Sequence, residues 1–285
     1  MEISIQLKRL AFAISLFIQV TKITDNKKNR FKNYPSLFTC YLDFKLLPVI
    51  ITQTMKDILA KNSTLVRGRI AEVCDEHNRD VDDISIIAVT KSFPASLINT
   101  AVAAGFHYIG ESRVQEAELK IEELGRIACY HLIGHLQTNK AKKAVQLFDV
   151  IQSVDSLKLA VEINKAAGSD KRTIECYIQV NASGEDQKFG VAVDNCLELI
   201  KKTSELENIK LTGLMTIGPL TDDENSIRSA FSRCRELYHK GKEICGSGFE
   251  HLSMGMSDDY PLAIAEGSTT IRLGSALFGP RPAKA

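Results

Sequence analysis

From residue 83 onward, apolar runs alternate with amphipathic stretches and little chain is left between them, a pattern that constrains the fold more than any composition figure does. Eight strand-like segments can be drawn: DISIIAVTK (83–91), FHYIGES (106–112), ACYHLIG (128–134), VIQSVD (150–155), TIECYIQVN (173–181), IKLTGLMTIG (209–218), HLSMGMS (251–257) and TTIRLGSALFG (269–279). Strands that alternate with helices build parallel βα units, and strands buried on both faces are near-continuously apolar, as these are. Eight such units in about 230 residues predict a single (β/α)8 TIM barrel. The alternative is a Rossmann-like open sheet, but no G-x-G-x-x-G follows the first strand. With little sequence after the eighth strand, no second domain is expected at the C-terminus.

Helix boundary signals agree with this frame. Pro94 is expected in a first turn and Gly105 at the end of that helix. Ser112 with Gln115, and Thr221 with Glu224, have capping-box spacing. Thr138 and Asp155 stand before the next two helices, and Gly168 stands at the end of the second.

Residues 1–54 differ in character. They carry eight Lys or Arg against three acids, which leaves −4 on residues 55–285 of a chain whose net charge is +1. LAFAISLFIQV after Lys8 and Arg9 resembles the start of a signal peptide, but no small-residue cleavage site follows and the stretch is too short to span a bilayer. From Met55 a charged amphipathic helix begins, with Ile58, Leu59, Leu65, Val66, Ile70 and Val73 on its apolar face. The expected division is therefore a poorly ordered extension, residues 1–54, with Met55 as the natural start of a barrel domain over 55–285. A targeting or membrane-anchoring segment is the alternative for the extension.

Near-neutral charge argues against a nucleic-acid binder that relies on a wide basic surface and favours a small-molecule partner. The seven cysteines are odd in number and lack metal-ligand spacing, so neither a disulfide framework nor a metal site is expected. A reducing cytoplasmic location fits them, and no membrane association is expected of the barrel.

In a (β/α)8 barrel the C-terminal strand ends form one rim that carries the site. Those ends contribute Lys91 on the first strand, Glu111 and Ser112 on the second, and His131, Gly134 and His135 on the third. Ser153 and Asp155, Asn181, Met215 and Thr216, Ser253 and Ser257, and Arg272, Gly274 and Ser275 follow on the remaining strands. A partly desolvated amine at Lys91 becomes able to attack a carbonyl carbon, although a strand-end lysine commonly just snorkels to water. Ser257, Gly274 and Ser275 offer hydroxyls and open backbone amides after the last two strands, where barrels hold phosphate; small residues there also serve simply to turn the chain. A lysine nucleophile on one side and a phosphate cradle on the other suit a phosphorylated aldehyde or ketone, and pyridoxal phosphate is both in one molecule. Arg272 is a cofactor contact or a rim ion-pair member, and His131 is a ligand contact or a satisfied interior histidine. Asn181 and Met215 are candidate pocket walls. Arg126, Lys140, Lys142 and Lys143 are expected to be solvated charges.

AVTKSFP, YIGESRVQE, YHLIGHLQTNK, QVN, GLMTIGP, HLSMGMSDDYPLAIAEGST and IRLGSALFGPR, in that order, resemble the YggS/PROSC family, the pyridoxal phosphate homeostasis proteins, from about Met55 to Arg281. More distantly the chain is similar to the N-terminal barrel of alanine racemase. The resemblance implies that Lys91 holds pyridoxal 5'-phosphate as a Schiff base, and that Ser257 and the backbone around Gly274 and Ser275 hold its phosphate. It implies that Arg272 faces the pyridine nitrogen, where a permanent cation disfavours protonation of the ring. Two departures stand out: the family's GEN is GES here, putting Ser112 in place of asparagine, and its Trp-His is Tyr130-His131. The sequence also ends at Ala285 without the domain that supplies alanine racemase with a tyrosine base, so little racemase turnover is expected. The implied role is a monomeric carrier that regulates the free cofactor level and delivers it to pyridoxal-phosphate-dependent apoenzymes. The alternatives are a small racemase or lyase using the same cofactor, a class I aldolase-like barrel using Lys91 alone, and a non-catalytic scaffold.

Overall fold

The computed structural model describes residues 35–185 and 187–280, with side chains from residue 53 onward. Eight parallel strands close into a barrel: β1 (Ser85–Val89), β2 (Tyr108–Glu111), β3 (Cys129–Leu132), β4 (Val150–Val154), β5 (Ile174–Asn181), β7 (Ile209–Thr216), β8 (His251–Ser253) and β9 (Thr270–Leu273). Neighbours in sequence are neighbours in the sheet, and pairing of Ser85 with Thr270 between β1 and β9 shuts the ring. The (β/α)8 barrel expected from the alternation is the observed fold. One short element was not expected: β6 (Val191–Ala192) pairs with the end of β5 through Val180 and Asn181.

Helices α1 (Pro35–Glu76), α2 (Ala95–Ala103), α3 (Val114–Leu124), α4 (Ala141–Leu147), α5 (Leu157–Ser169), α6 (Val193–Ser204), α7 (Glu224–Cys245), α8 (Tyr260–Ala265) and α9 (Ser275–Phe278) surround the sheet. α1 completes the ring by packing on α2, α8 and α9. It buries Leu59, Val66, Ile70, Val73 and Cys74, a stripe at helical spacing. Leu65, expected on that face, is 63% exposed, so the stripe is narrower than the composition of the helix suggested. The expectation for residues 1–54 falls outside the described residues as far as residue 34; from Pro35 the backbone is helical and runs on into the part that packs. Among the described residues no helix is long and apolar enough to cross a membrane.

The main core fills the layer between barrel and helices, where Ile109, Leu132, Ile151, Ile178 and Leu214 meet Leu97, Ala144, Ile163 and Phe231. Inside the barrel a smaller cluster of Val150, Tyr177 and Met215 forms a floor. Strand residues alternate between the two sides, so β3, β4, β8 and β9 can turn polar side chains inward above that floor while keeping apolar ones outward.

Several helix starts differ from expectation, two of them because a nearer side chain wins the orphan amides. Asp223, not Thr221, caps α7 by accepting from Asn225 N and Ser226 N; Ser156, not Asp155, caps α5 by accepting from Leu159 N. α3 starts after Arg113 with no side-chain cap, so the Ser112–Gln115 box does not form. Pro94 stands just before α2 instead of in its first turn. β8 is also shorter than drawn. It ends at Ser253 because Gly255 adopts φ +94°, and a Cβ there would lie 2.6 Å from the Ala263 Cβ.

Candidate functional site at the C-terminal rim

All eight strands point the same way, so their C-terminal ends share one rim. Lys91 is half-buried in the turn that follows β1, beside Ser92, whose φ of +66° lies in the left-handed region. Two backbone bonds shape this turn: Thr90 N donates to Gly110 O at 3.1 Å and Phe93 N donates to Thr90 O at 3.1 Å.

The serine and glycine group stands immediately beside this turn, not across the rim from it. β9 is hydrogen-bonded to β1, with Ala88 paired to Leu273, and Gly274 follows directly. Ser257 Oγ accepts from Gly274 N at 3.2 Å and from Ala276 N at 3.1 Å. One hydroxyl and two amides therefore converge on a point at the mouth of β8 and β9. Ser275, first residue of α9, is exposed.

Two residues before Gly274, Arg272 is buried inside the barrel. Its Nη1 donates to Ser253 Oγ at 2.8 Å and its Nη2 to Thr216 O at 2.8 Å, and no carboxylate among the described residues lies within ion-pair distance. It is not a rim ion-pair member. Burial draws its pKa down to about 10, with Asp259 and Cys234 opposing, so it stays cationic at neutral pH.

From Arg272 a polar row crosses the barrel. Ser253 Oγ donates to Gln152 Oε1 at 2.8 Å, Gln152 Nε2 lies 2.9 Å from His131 Nδ1, and His131 Nε2 lies 3.5 Å from Cys129 Sγ. A guanidinium can only donate, so it fixes the direction of every following bond. Ser253 accepts from Arg272 and donates to Gln152, whose amide donates to His131 Nδ1, and the ring proton belongs on Nε2. Burial, reinforced by His251, holds that ring neutral with a pKa of about 3. His131 is thus an interior histidine tied to Arg272 through two intermediaries.

Asn181 ends β5, but its amide organises its own loop. It accepts from Ser183 Oγ and Gly184 N and donates to Glu185 O at 2.8 Å. Met215 is wholly buried in the floor cluster beneath the rim. The structure therefore brings Lys91, Ser257, Gly274, Ser275 and Arg272 together on two neighbouring strand ends and the adjoining loop, while Asn181 bonds within its own loop and Met215 packs in the floor cluster. Gly134 lets the ends of β2 and β3 approach: a Cβ there would fall 2.3 Å from Ser112 O.

Sequence reasoning missed Gln152, Thr90, Glu116 and Lys120. The last had a visible signal. It lies on the same stripe of α3 as buried Val114 and Ala117, an unusual place for a lysine unless it is paired. Among the described residues no three His, Cys, Asp or Glu side chains are grouped to hold a metal ion.

The family model for the alanine racemase N-terminal domain matches residues 69–282. The pyridoxal phosphate homeostasis protein of Aquifex aeolicus is 38% identical over 217 residues, 76% of this chain and 95% of that protein. Among solved structures, PipY of Synechococcus elongatus with PLP bound superposes with a TM-score of 0.64 at 36% identity, covering 74% of this chain and all of that one. Alanine racemase from Corynebacterium glutamicum superposes with a TM-score of 0.64 over 80% of this chain and 62% of that one; at 14% identity this is a likeness of fold alone.

Proposed function

Because the chain belongs to the pyridoxal phosphate homeostasis protein family, built on the alanine racemase N-terminal barrel, we propose that it binds pyridoxal phosphate reversibly as a Schiff base on Lys91 and buffers its free concentration. The observation that carries this reading is the adjacency of Lys91 to the Ser257–Gly274–Ala276 group, on strand ends that hydrogen-bond to one another. Pyridoxal phosphate bears its aldehyde and its phosphomethyl group on neighbouring ring carbons, with the ring nitrogen across from the aldehyde. A lysine and a phosphate cradle side by side, with Arg272 deeper in the barrel, suit that layout.

The residues present fit the group chemically. Ser257 Oγ accepts from the Gly274 and Ala276 amides and can turn its own proton toward a phosphate oxygen, and a phosphate oxygen can also replace the hydroxyl as acceptor for those two amides. Arg272 is a buried cation with no carboxylate partner among the described residues, so an electron-rich ring atom above it answers an electrostatic deficit. Its two hydrogen bonds hold the guanidinium fixed, and its charge opposes protonation of a ring nitrogen placed against it. When bound, the cofactor supplies an electrophilic aldehyde carbon and an electron-withdrawing ring. Lys91 joins it with loss of one water, a reversible linkage suited to storage and to delivery to apoenzymes.

The test is the absorption spectrum of purified protein supplied with pyridoxal phosphate, before and after borohydride, with the adduct mapped by mass spectrometry. A visible band that borohydride abolishes, with the adduct on Lys91 and none in Lys91→Ala, is the expected result. An adduct on other lysines only, or equal binding by Lys91→Ala, refutes the assignment. Enantiomer exchange of alanine and serine is expected to be slight; robust turnover would replace the carrier reading with a racemase.

A further inference from the structure

Behind the Lys91 turn, on the side away from the barrel interior, three charged side chains meet in a place that neither phosphate binding nor the Arg272 row uses. Glu111 ends β2 and is fully buried, Lys120 comes from the core-facing side of α3, and Glu116 lies one turn before it. Lys120 Nζ donates to Glu111 Oε1 at 2.6 Å, to Glu116 Oε1 at 2.7 Å and to Thr90 O at 2.8 Å. An ammonium has three protons, and all three are directed. The same Glu116 oxygen accepts from Ser92 N at 2.6 Å, and Glu111 Oε1 accepts from Thr90 Oγ1 at 2.6 Å.

We infer that Lys120, Glu116 and Glu111 are positioning residues for Lys91, gripping the peptide on each side of it and so fixing the direction in which its side chain leaves the backbone. Thr90 O belongs to the peptide unit that enters Lys91, and Ser92 N belongs to the unit that leaves it. Holding both units sets φ and ψ of the residue between them, because the peptide planes themselves are rigid. The grip also explains Ser92. A non-glycine residue at φ +66° is strained, and such strain persists where surrounding contacts over-determine the backbone. A charge-assisted bond from Ser92 N to a carboxylate is such a contact.

Stability alone is a poor account of the arrangement. Buried ion pairs are commonly no better than apolar packing of the same volume, and here Glu111 Oε2 is buried with no partner among the described residues. Orientation is what a charged network adds: each of its bonds to the turn has a direction, whereas apolar packing does not. A nucleophilic amine benefits from this, since misplacement by about 1 Å can cost on the order of 100-fold in rate.

The inference rests on the proposed attachment of pyridoxal phosphate to Lys91, and the experiment separates the two. Pyridoxal phosphate is mixed with wild-type protein, Lys120→Met, Glu116→Ala and Glu118→Ala. The rate of appearance of the borohydride-sensitive band, the adduct at Lys91 and the melting temperature are measured for each. Glu118 pairs with Lys143 on the outer side of the same helix and serves as the control. Lys120→Met and Glu116→Ala should slow attachment by about 10- to 100-fold, with Glu118→Ala at the wild-type rate. Glu116 is one-quarter exposed, so Glu116→Ala retains the fold even where Lys120→Met leaves Glu111 too poorly compensated to do so. Folded Glu116→Ala that attaches the cofactor at the wild-type rate, even with a lowered melting temperature, overturns the inference and leaves the Lys91 assignment standing. No adduct on wild-type Lys91 removes the assignment itself and the inference with it.

Discussion

Acidification should destabilise this protein through His131, and the size of the effect follows from where that ring sits. The imidazole is 5% exposed, its Nδ1 accepts from Gln152, and burial holds its pKa at about 3 against an ordinary 6.5. The row running back to Arg272 adds a directional reason: a protonated Nδ1 would face the Gln152 amide donor-to-donor. Between pH 6.5 and 3 the unfolded chain therefore holds a proton on this residue that the folded chain does not. Stability rises with pH wherever the unfolded state binds more protons, so the contribution of neutral His131 is complete above about pH 6.5 and is lost as pH falls, by about 1.4 kcal/mol per unit. Integrated from pH 6.5 down to 5.0, the loss is about 1.6 kcal/mol. His131→Asn keeps an acceptor for Gln152 but has nothing to titrate, so the difference between the two proteins isolates the ring from carboxylates that titrate in the same range. The chain has no tryptophan, so urea unfolding at the two pH values is best followed by far-UV circular dichroism. Wild type should lose about 1.6 kcal/mol more than His131→Asn. Equal losses, or an NMR titration placing this imidazole near 6.5, refute the reasoning.

Two further outcomes follow from the packing. Gly255→Ala places a Cβ against Ala263 in a backbone conformation that L-residues avoid, and should cost about 2–4 kcal/mol in urea unfolding while weakening pyridoxal phosphate binding, because Gly255 lies between Ser253 and Ser257. Leu59→Ala should cost about 2–5 kcal/mol, since Leu59 is 1% exposed in the main core; a cost below about 0.5 kcal/mol, measured the same way, would mean that α1 is not part of the cooperative barrel.

The barrel was legible because parallel strands enclosed on both faces must be nearly continuous in apolar residues, and eight of them stood out against helices of different period. The rim was legible for the same reason: once strands are counted, their last residues form a roster of the polar groups there, and Lys91, Ser257, Arg272 and Gly274, which the structure brings onto neighbouring strand ends and the adjoining loop, were on it. Boundaries were less legible. Whether Thr221 or Asp223 caps α7 is a contest between neighbouring oxygens for the same amides, and only the local backbone decides it. Strand length failed at β8, where the apolar text continues through MGM while Gly255 has already turned the chain.

By itself, then, the sequence determined the period of each element, and with it the barrel, the rim and the roster of polar groups available there. Only the tertiary structure decided which of these groups meet. Closure of β9 onto β1 sets the Ser257–Gly274 cradle next to Lys91 instead of across from it. Register decides that Arg272 reaches Ser253 while Met215 sinks into the floor. α3, lying behind β1 and β2, carries Lys120 to the back of the Lys91 turn. The physical reason is range: periodicity is local and leaves its mark within a dozen residues, whereas the Lys120 contact to Thr90 spans 30 positions and the Ser253 contact to Gln152 spans 101, distances that only the closed sheet brings to bonding length.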